Sequence, residues 1–226
     1  EISECLVGSE MCIRDRLKPC QSLFKLSKMK QPDLENFVGM HNRKYCDGGQ
    51  CIRLYKTFMK KKDPEAANIV MGHNEEDLLG LGTIFSLLAY KKLYDGEYHP
   101  KQCVILEQEL KIVIELSAAA PVNVSCGNSD FYLSVNGYEA RMLVHLKEGK
   151  LRQYYRNYKD YEFIPGEDTA MPKSITRYMD KSLKIATTPQ TCYTWFNCDE
   201  DFLNNEKKQM QYLTHTLPFF LDNLNK

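Results

Sequence analysis

Residues 73–96 read HNEEDLLGLGTIFSLLAYKKLYDG, and how this stretch folds decides the architecture around it. Leu78, Leu81, Phe85, Leu88 and Leu93 recur at helical spacing, and Leu79, Ile84 and Leu87 broaden the apolar face. Asn74 can cap a first turn in which Glu75, Glu76 and Asp77 meet the positive end of the helix dipole. Lys91 and Lys92 sit near the other end, and Asp95-Gly96 stops the helix. A helix from Asn74 to Leu93, apolar on more than one side, belongs inside a domain, with Leu81, Phe85 and Leu88 facing the core. Gly80-Leu81-Gly82 lies within the helical pattern, so it reads as close helix packing rather than a nucleotide-binding turn.

Working outward, Pro32-Asp33 opens a helix through Tyr45, and Asp47-Gly48-Gly49 breaks it. A second helix runs from Cys51 to Lys62, with Leu54, Tyr55, Phe58 and Met59 inward and Lys60-Lys61-Lys62 as a solvated end. Asp63-Pro64 starts a short third helix ending near Gly72. Beyond Pro100 the period changes. Val104, Leu106, Leu110, Ile112, Ile114 and Leu116 alternate with charged residues, which is a strand pattern. Asn136-Gly137 between two alternating runs predicts a hairpin, and Glu148-Gly149 a further turn. Val104 to Tyr155 therefore reads as a small antiparallel sheet. A helix over Pro172 to Ile185, an extended run from Thr187 to Asn197, and a terminal helix from Asp199 to Leu224 kinked by Pro218 complete the chain. The fold class is α+β, with a helical N-terminal half, a sheet in the middle and a helical C-terminus.

The 30 basic and 30 acidic residues cancel. A nucleic-acid binder usually carries a basic excess, so no nucleic acid is expected as a partner. No apolar run reaches the length of a membrane span, and no membrane partner is expected. Residues 5–16, CLVGSEMCIRDR, resemble a translated sequencing-library adaptor, whose in-frame reading gives Glu10-Met11-Cys12-Ile13-Arg14-Asp15. On that resemblance residues 1–16 are a non-native tail and 17–226 a single globular domain. The remaining cysteines, Cys20, Cys46, Cys51, Cys103, Cys126, Cys192 and Cys198, are odd in number and unevenly spaced. That argues against a disulfide framework and for a reducing, cytoplasmic compartment.

Two constellations carry candidate chemistry. His41, Cys46 and Cys51, with His73 further on, are residue types that zinc prefers, but four residues between the cysteines is loose for a metal loop. A turn flanked by buried thiols is the competing reading. Cys126 has Asp130 and His145 downstream, the residue types of an activated thiolate, its base and an orienting acid. Ordinary packing competes there too. Tyr154, Tyr155, Tyr158 and Tyr161 interleave with Arg152, Arg156 and Lys159. Such alternation can clamp a single strand of nucleic acid, although the neutral chain favours strand and loop packing. No cofactor motif is read.

Leu78 to Ala89, followed by Lys92-Leu93-Tyr94-Asp95-Gly96-Glu97-Tyr98, resembles a cyclin box, with Leu106-Glu107-Gln108-Glu109-Leu110 as its next helix and Cys51 to Lys61 as the preceding one. The resemblance implies a helical, kinase-activating partner domain, but the aspartate-arginine pair of that family is absent. With no catalytic spacing of its own, the sequence reads as a non-enzymatic protein–protein interaction domain. The alternatives are a cysteine- or carboxylate-dependent hydrolase or transferase, and the cyclin-like partner.

Overall fold

The computed structural model describes residues 11–41, 43–45 and 48–223. The backbone gathers into two compact units, residues 1–88 and 89–226. Helices lead, strands follow and a helix closes the chain, which is the α+β arrangement expected.

In the first unit a helix over 11–17 runs into turns at Lys18–Cys20 and Gln21–Phe24. Ile13, Leu17, Cys20 and Leu23 are buried. Helix α1 (Gln31–Phe37) starts where Asp33 reaches back to accept the Lys30 N–H at 3.1 Å. It ends short of the predicted Tyr45, with Gly39 at φ +87°. Its last residue, Phe37, packs against Phe24, the rings tilted and their centroids 4.8 Å apart. Helix α2 (Gly48–Lys61) and helix α3 (Pro64–Ile84) are separated by Lys62 and Asp63. Asp63 caps α3, its carboxylate accepting the Glu65 N–H at 3.0 Å.

The expected break near Gly72 is absent, because Asp63 already supplies the cap and Asn74 lies mid-helix. The ladder tightens instead at Phe85–Leu87, a 3-10 turn, before helix α4 (Leu88–Asp95). A 3-10 turn advances about 120° per residue rather than about 100°, so the buried positions fall three apart. Leu81, Ile84 and Leu87 are buried, while Phe85 is half exposed and Leu78 and Leu79 face outward. Phe85 is therefore not the core residue that a uniform helix predicts.

The second unit holds strands β1 (Tyr98–Leu106), β2 (Glu109–Gly127), β3 (Phe131–His145), β4 (Lys150–Tyr154), β5 (Tyr161–Ile164), β6 (Thr169–Pro172), β7 (Ile185–Ala186) and β8 (Tyr193–Asn197), then helix α5 (Glu206–Asp222). They form an antiparallel sheet β1-β2-β3, a β4-β8 pair and a β6-β5-β7 sheet. Leu110, Ile112 and Ile114 oppose Val144, Met142 and Ala140, and all six side chains are buried. The β2–β3 turn lies at 128–130, where the Asn128 side chain accepts the Asp130 and Phe131 N–H groups. Asn136-Gly137 does not turn the chain: it sits inside β3, where Gly137 at φ +56° faces Ala120 in a shifted register. Glu148-Gly149 does turn it, with both residues at positive φ.

Between Pro172 and Ile185 only Lys173–Thr176 is α-helical, followed by a 3-10 turn at Lys181–Leu183 that Asp180 caps. The terminal helix is split at Asn205, which caps α5. The described residues contain no helix long and apolar enough to cross a membrane.

Candidate functional site

Helix α1 turns Gln31 and Glu35 toward α3, and both side chains are buried although polar. A buried carboxylate needs a partner, and here it is Arg43. Arg43 Nε donates to Glu35 Oε2 at 2.8 Å and Nη2 to Oε1 at 2.7 Å, a two-pronged fork. The remaining prong, Nη1, donates to Asp77 Oδ1 on α3 at 2.7 Å. Gln31 Nε2 donates to Glu35 Oε1 at 2.8 Å and to the Asp77 carbonyl at 2.9 Å. Glu76 next door accepts the Lys44 and Tyr45 N–H groups at 2.7 and 3.3 Å, tying the loop to the helix.

Burial pushes the Glu35 carboxyl upward, but the hydrogen bonds from Arg43 and Gln31 outweigh it and hold the group below its ordinary value. The Arg43 guanidinium is stabilised in its charged form chiefly by Glu35. Gly80 makes this approach possible. A Cβ there would run into Glu35 Oε1 and come within 2.7 Å of Gln31 Nε2. Gly72 serves the Tyr45 ring in the same way.

His73 lies one turn before Asp77, its Nε2 3.4 Å from Asp77 Oδ2. Its Nδ1 is buried with no hydrogen-bond partner among the described residues. Asp77 keeps about a quarter of its side chain exposed (26%) and Glu35 almost none (2%), so Asp77 is the carboxylate of the group that solvent or a ligand can reach.

Of the zinc candidates, Cys46 lies outside the described residues. Cys51 is buried in α2, His41 is exposed and bonded to Asn36, and His73 faces Asp77. Among the described residues, no three His, Cys, Asp or Glu side chains are grouped to hold a metal ion. The second constellation divides. Asp130, in the β2–β3 turn, and His145, at the far end of β3, meet, with the His145 N–H donating to the Asp130 carbonyl at 3.0 Å, and both line one pocket. Cys126 is buried in β2 opposite Leu133 and does not line that pocket.

Sequence reading passed over Glu35, Arg43 and Asp77 as a group. The available signals were a glutamate beside Leu34 on the apolar side of a helix, and Gly80 at a mid-helix position where glycine is costly.

A family model described as RNase_H superfamily matches residues 12–89, which contain this whole cluster. Comparisons with curated proteins and with solved structures return no match. The family similarity corrects four expectations. Its range begins at residue 12 and takes in the buried Ile13, so residues 12–16 are not an adaptor-derived tail; residues 1–10 lie outside the described residues. The cyclin-box reading falls as well, since its proposed next helix, 106–110, is the β1–β2 turn with Glu107 at φ +57°. A match of this description points to hydrolysis of nucleic acid, which overturns the non-enzymatic interaction domain and favours the hydrolase alternative. It also overturns the expectation of no nucleic-acid partner. Net charge does not decide that question, because the charge is segregated: residues 48–62 carry Arg53, Lys56, Lys60, Lys61 and Lys62 and no acid.

Proposed function

We propose that this chain is a carboxylate-dependent hydrolase acting on nucleic acid, or the portion of one that grips the strand. The observation that carries this reading is the similarity of residues 12–89 to the RNase H superfamily. Helix α2 supports it. Arg53, Lys56, Lys60 and Lys61 are exposed on it beside the half-exposed Tyr55. Among the described residues none of these cations pairs with a carboxylate. Cations for phosphates and an aromatic face for a base are what a single strand requires.

Asp77 is the carboxylate of the pair placed to accept a proton from an attacking water, because a quarter of its side chain is exposed (26%) while Glu35 is closed off (2%). Phosphodiester hydrolysis by carboxylates often runs through divalent cations. The carboxylates here do not form such a set: Arg43 and Gln31 take both oxygens of Glu35, Arg43 takes one of Asp77, and backbone N–H groups take Glu76.

The test is incubation of the full chain with end-labelled single-stranded RNA, single-stranded DNA and an RNA–DNA hybrid, with and without magnesium. Shortened products from the parent and none from Asp77→Asn, with binding retained, are the expected result. Absence of both cleavage and retention of every strand would overturn the reading.

A further inference from the structure

A pocket of about 280 Å3 opens in the second unit where the end of β3, β4, β8 and α5 meet. Its wall is apolar and aromatic: Val144, Tyr154, Trp195 and Phe220. This wall is rigid. Tyr154 stacks on Phe219 at 3.7 Å between ring centroids, and Phe220 stacks on Phe131 at 4.3 Å. The indole is fixed as well, its Nε1 donating to the Asp168 carbonyl at 2.9 Å and to the Asp168 carboxylate at 3.1 Å.

Lys147, Lys150 and Arg152 also line the pocket. Among the described residues no carboxylate pairs with any of the three. The Arg152 guanidinium is held at 4.5 Å from the Tyr193 ring and 4.6 Å from the Trp195 ring. Its Nε is buried and finds no acceptor among the described residues. A buried donor left unmade is costly, so an acceptor arriving from a ligand would be favoured. Three cations outnumber the carboxylates nearby, Asp130 in the lining and Asp168 behind the indole, and leave the pocket a positive balance.

We propose that this pocket binds one phosphorylated nucleotide unit, its planar base against the aromatic wall and its phosphate on Lys147, Lys150 and Arg152. The volume lies just under the ~300 Å3 at which ligand pockets commonly begin, which suits one nucleotide and not several. Arginine and lysine are the usual phosphate partners, and aromatic faces accept any base. The shared chemistry has two sources, a free nucleoside monophosphate and the phosphorylated end of a strand. The proposal stands on the second unit alone and does not require that the first unit hydrolyse anything.

Trp195 is the single tryptophan of the chain, so the intact protein reports on its own pocket. Intrinsic fluorescence is titrated with adenosine and uridine monophosphates, the matching nucleosides, inorganic phosphate, and a single-stranded oligonucleotide with and without a 5′-phosphate. Saturable quenching by the monophosphates is expected, with nucleosides and inorganic phosphate weaker by about tenfold or more, as loss of one half of the contacts requires. A preference for the phosphorylated oligonucleotide over the monophosphate assigns the strand end as the source; the reverse assigns the free nucleotide.

The exposed pair Lys147→Glu and Lys150→Glu should abolish quenching while circular dichroism and melting stay those of the parent. Arg152→Lys, which keeps the charge but loses the fork, should weaken it partially. The proposal is overturned if no phosphorylated probe quenches saturably, if inorganic phosphate binds as well as the monophosphates, or if the charge-reversed pair binds like the parent.

Discussion

Arg43 lays the two prongs of its guanidinium fork on the buried carboxylate of Glu35, at 2.7 and 2.8 Å, and thereby pins a loop to the helical unit. Removing Arg43 strands the Glu35 carboxylate, 2% exposed, in a place that water cannot reach. Breaking a buried ion pair from one side typically costs about 3–5 kcal/mol. Arg43→Met should therefore destabilise strongly in urea unfolding followed by circular dichroism. A loss no larger than that of a surface substitution would show that the pair is dispensable.

The same pair sets an acid dependence. Glu35 titrates lower in the folded chain than in the unfolded one, so its contribution is fully present above the unfolded value of about 4.3. It is lost as pH falls through the lower, folded value. The stability gap between the parent and Glu35→Gln should be constant near neutrality and close below about pH 4. A gap that widens in acid would have the wrong sign and would remove the ion pair as its cause.

Gly80 and Gly82 sit two residues apart on one helix and should respond to alanine with opposite signs. Alanine in place of glycine in a helix interior ordinarily gains about 0.5–1 kcal/mol. At Gly82 nothing lies within reach of the new methyl group, so the gain should appear. At Gly80 the methyl meets Glu35 Oε1, which Arg43 holds in place, so the substitution should destabilise. Urea midpoints that shift in the same direction would refute the close approach of α1 and α3.

Ile13 is buried, at 3% exposure, in the helix over 11–17. Truncating a buried isoleucine to alanine costs about 2–5 kcal/mol. Ile13→Ala should lower the melting temperature by several degrees. An unchanged melting temperature would separate this helix from the folded unit.

The helix of residues 73–96 shows how far periodicity carries and where it stops. Apolar spacing places Leu81, Ile84 and Leu87 on a helix correctly, because burial and a 3.6-residue period act on local sequence. It misplaces Phe85, because the 3-10 turn at Phe85–Leu87 re-phases the faces and no residue announces it. Asn136-Gly137 fails for a similar reason. The dipeptide supplies positive φ, and the strand spends it on a bulge opposite Ala120 rather than on a turn. Asp130 and His145 are legible as residue types, yet only the path of β3, whose two ends they flank, decides that they meet while Cys126 is buried in β2. Asp77 lies 34 residues beyond Arg43, itself eight beyond Glu35, and the three match no fixed spacing. Their meeting depends on how two helices pack across Gly80, which a single sequence records only as an oddly placed glycine.

The basic surface of α2 can be tested apart from the Glu35–Arg43–Asp77 cluster. Arg53, Lys56, Lys60 and Lys61 are exposed, and the helix carries no acidic residue to offset them. If they meet phosphates, binding of a fluorescein-labelled single strand by anisotropy should weaken as salt rises. The logarithmic slope should be about −0.7 per phosphate contact for a single strand. Lys56→Glu, Lys60→Glu and Lys61→Glu together should lower affinity and flatten that slope by about 2, one step of ~0.7 for each contact removed. Solvent-facing charge changes leave folding within about 0.5 kcal/mol, so the urea midpoint serves as the control. An unchanged slope with an unchanged midpoint would mean that nucleic acid, if held, is held elsewhere, and α2 would lose its place in the proposed function.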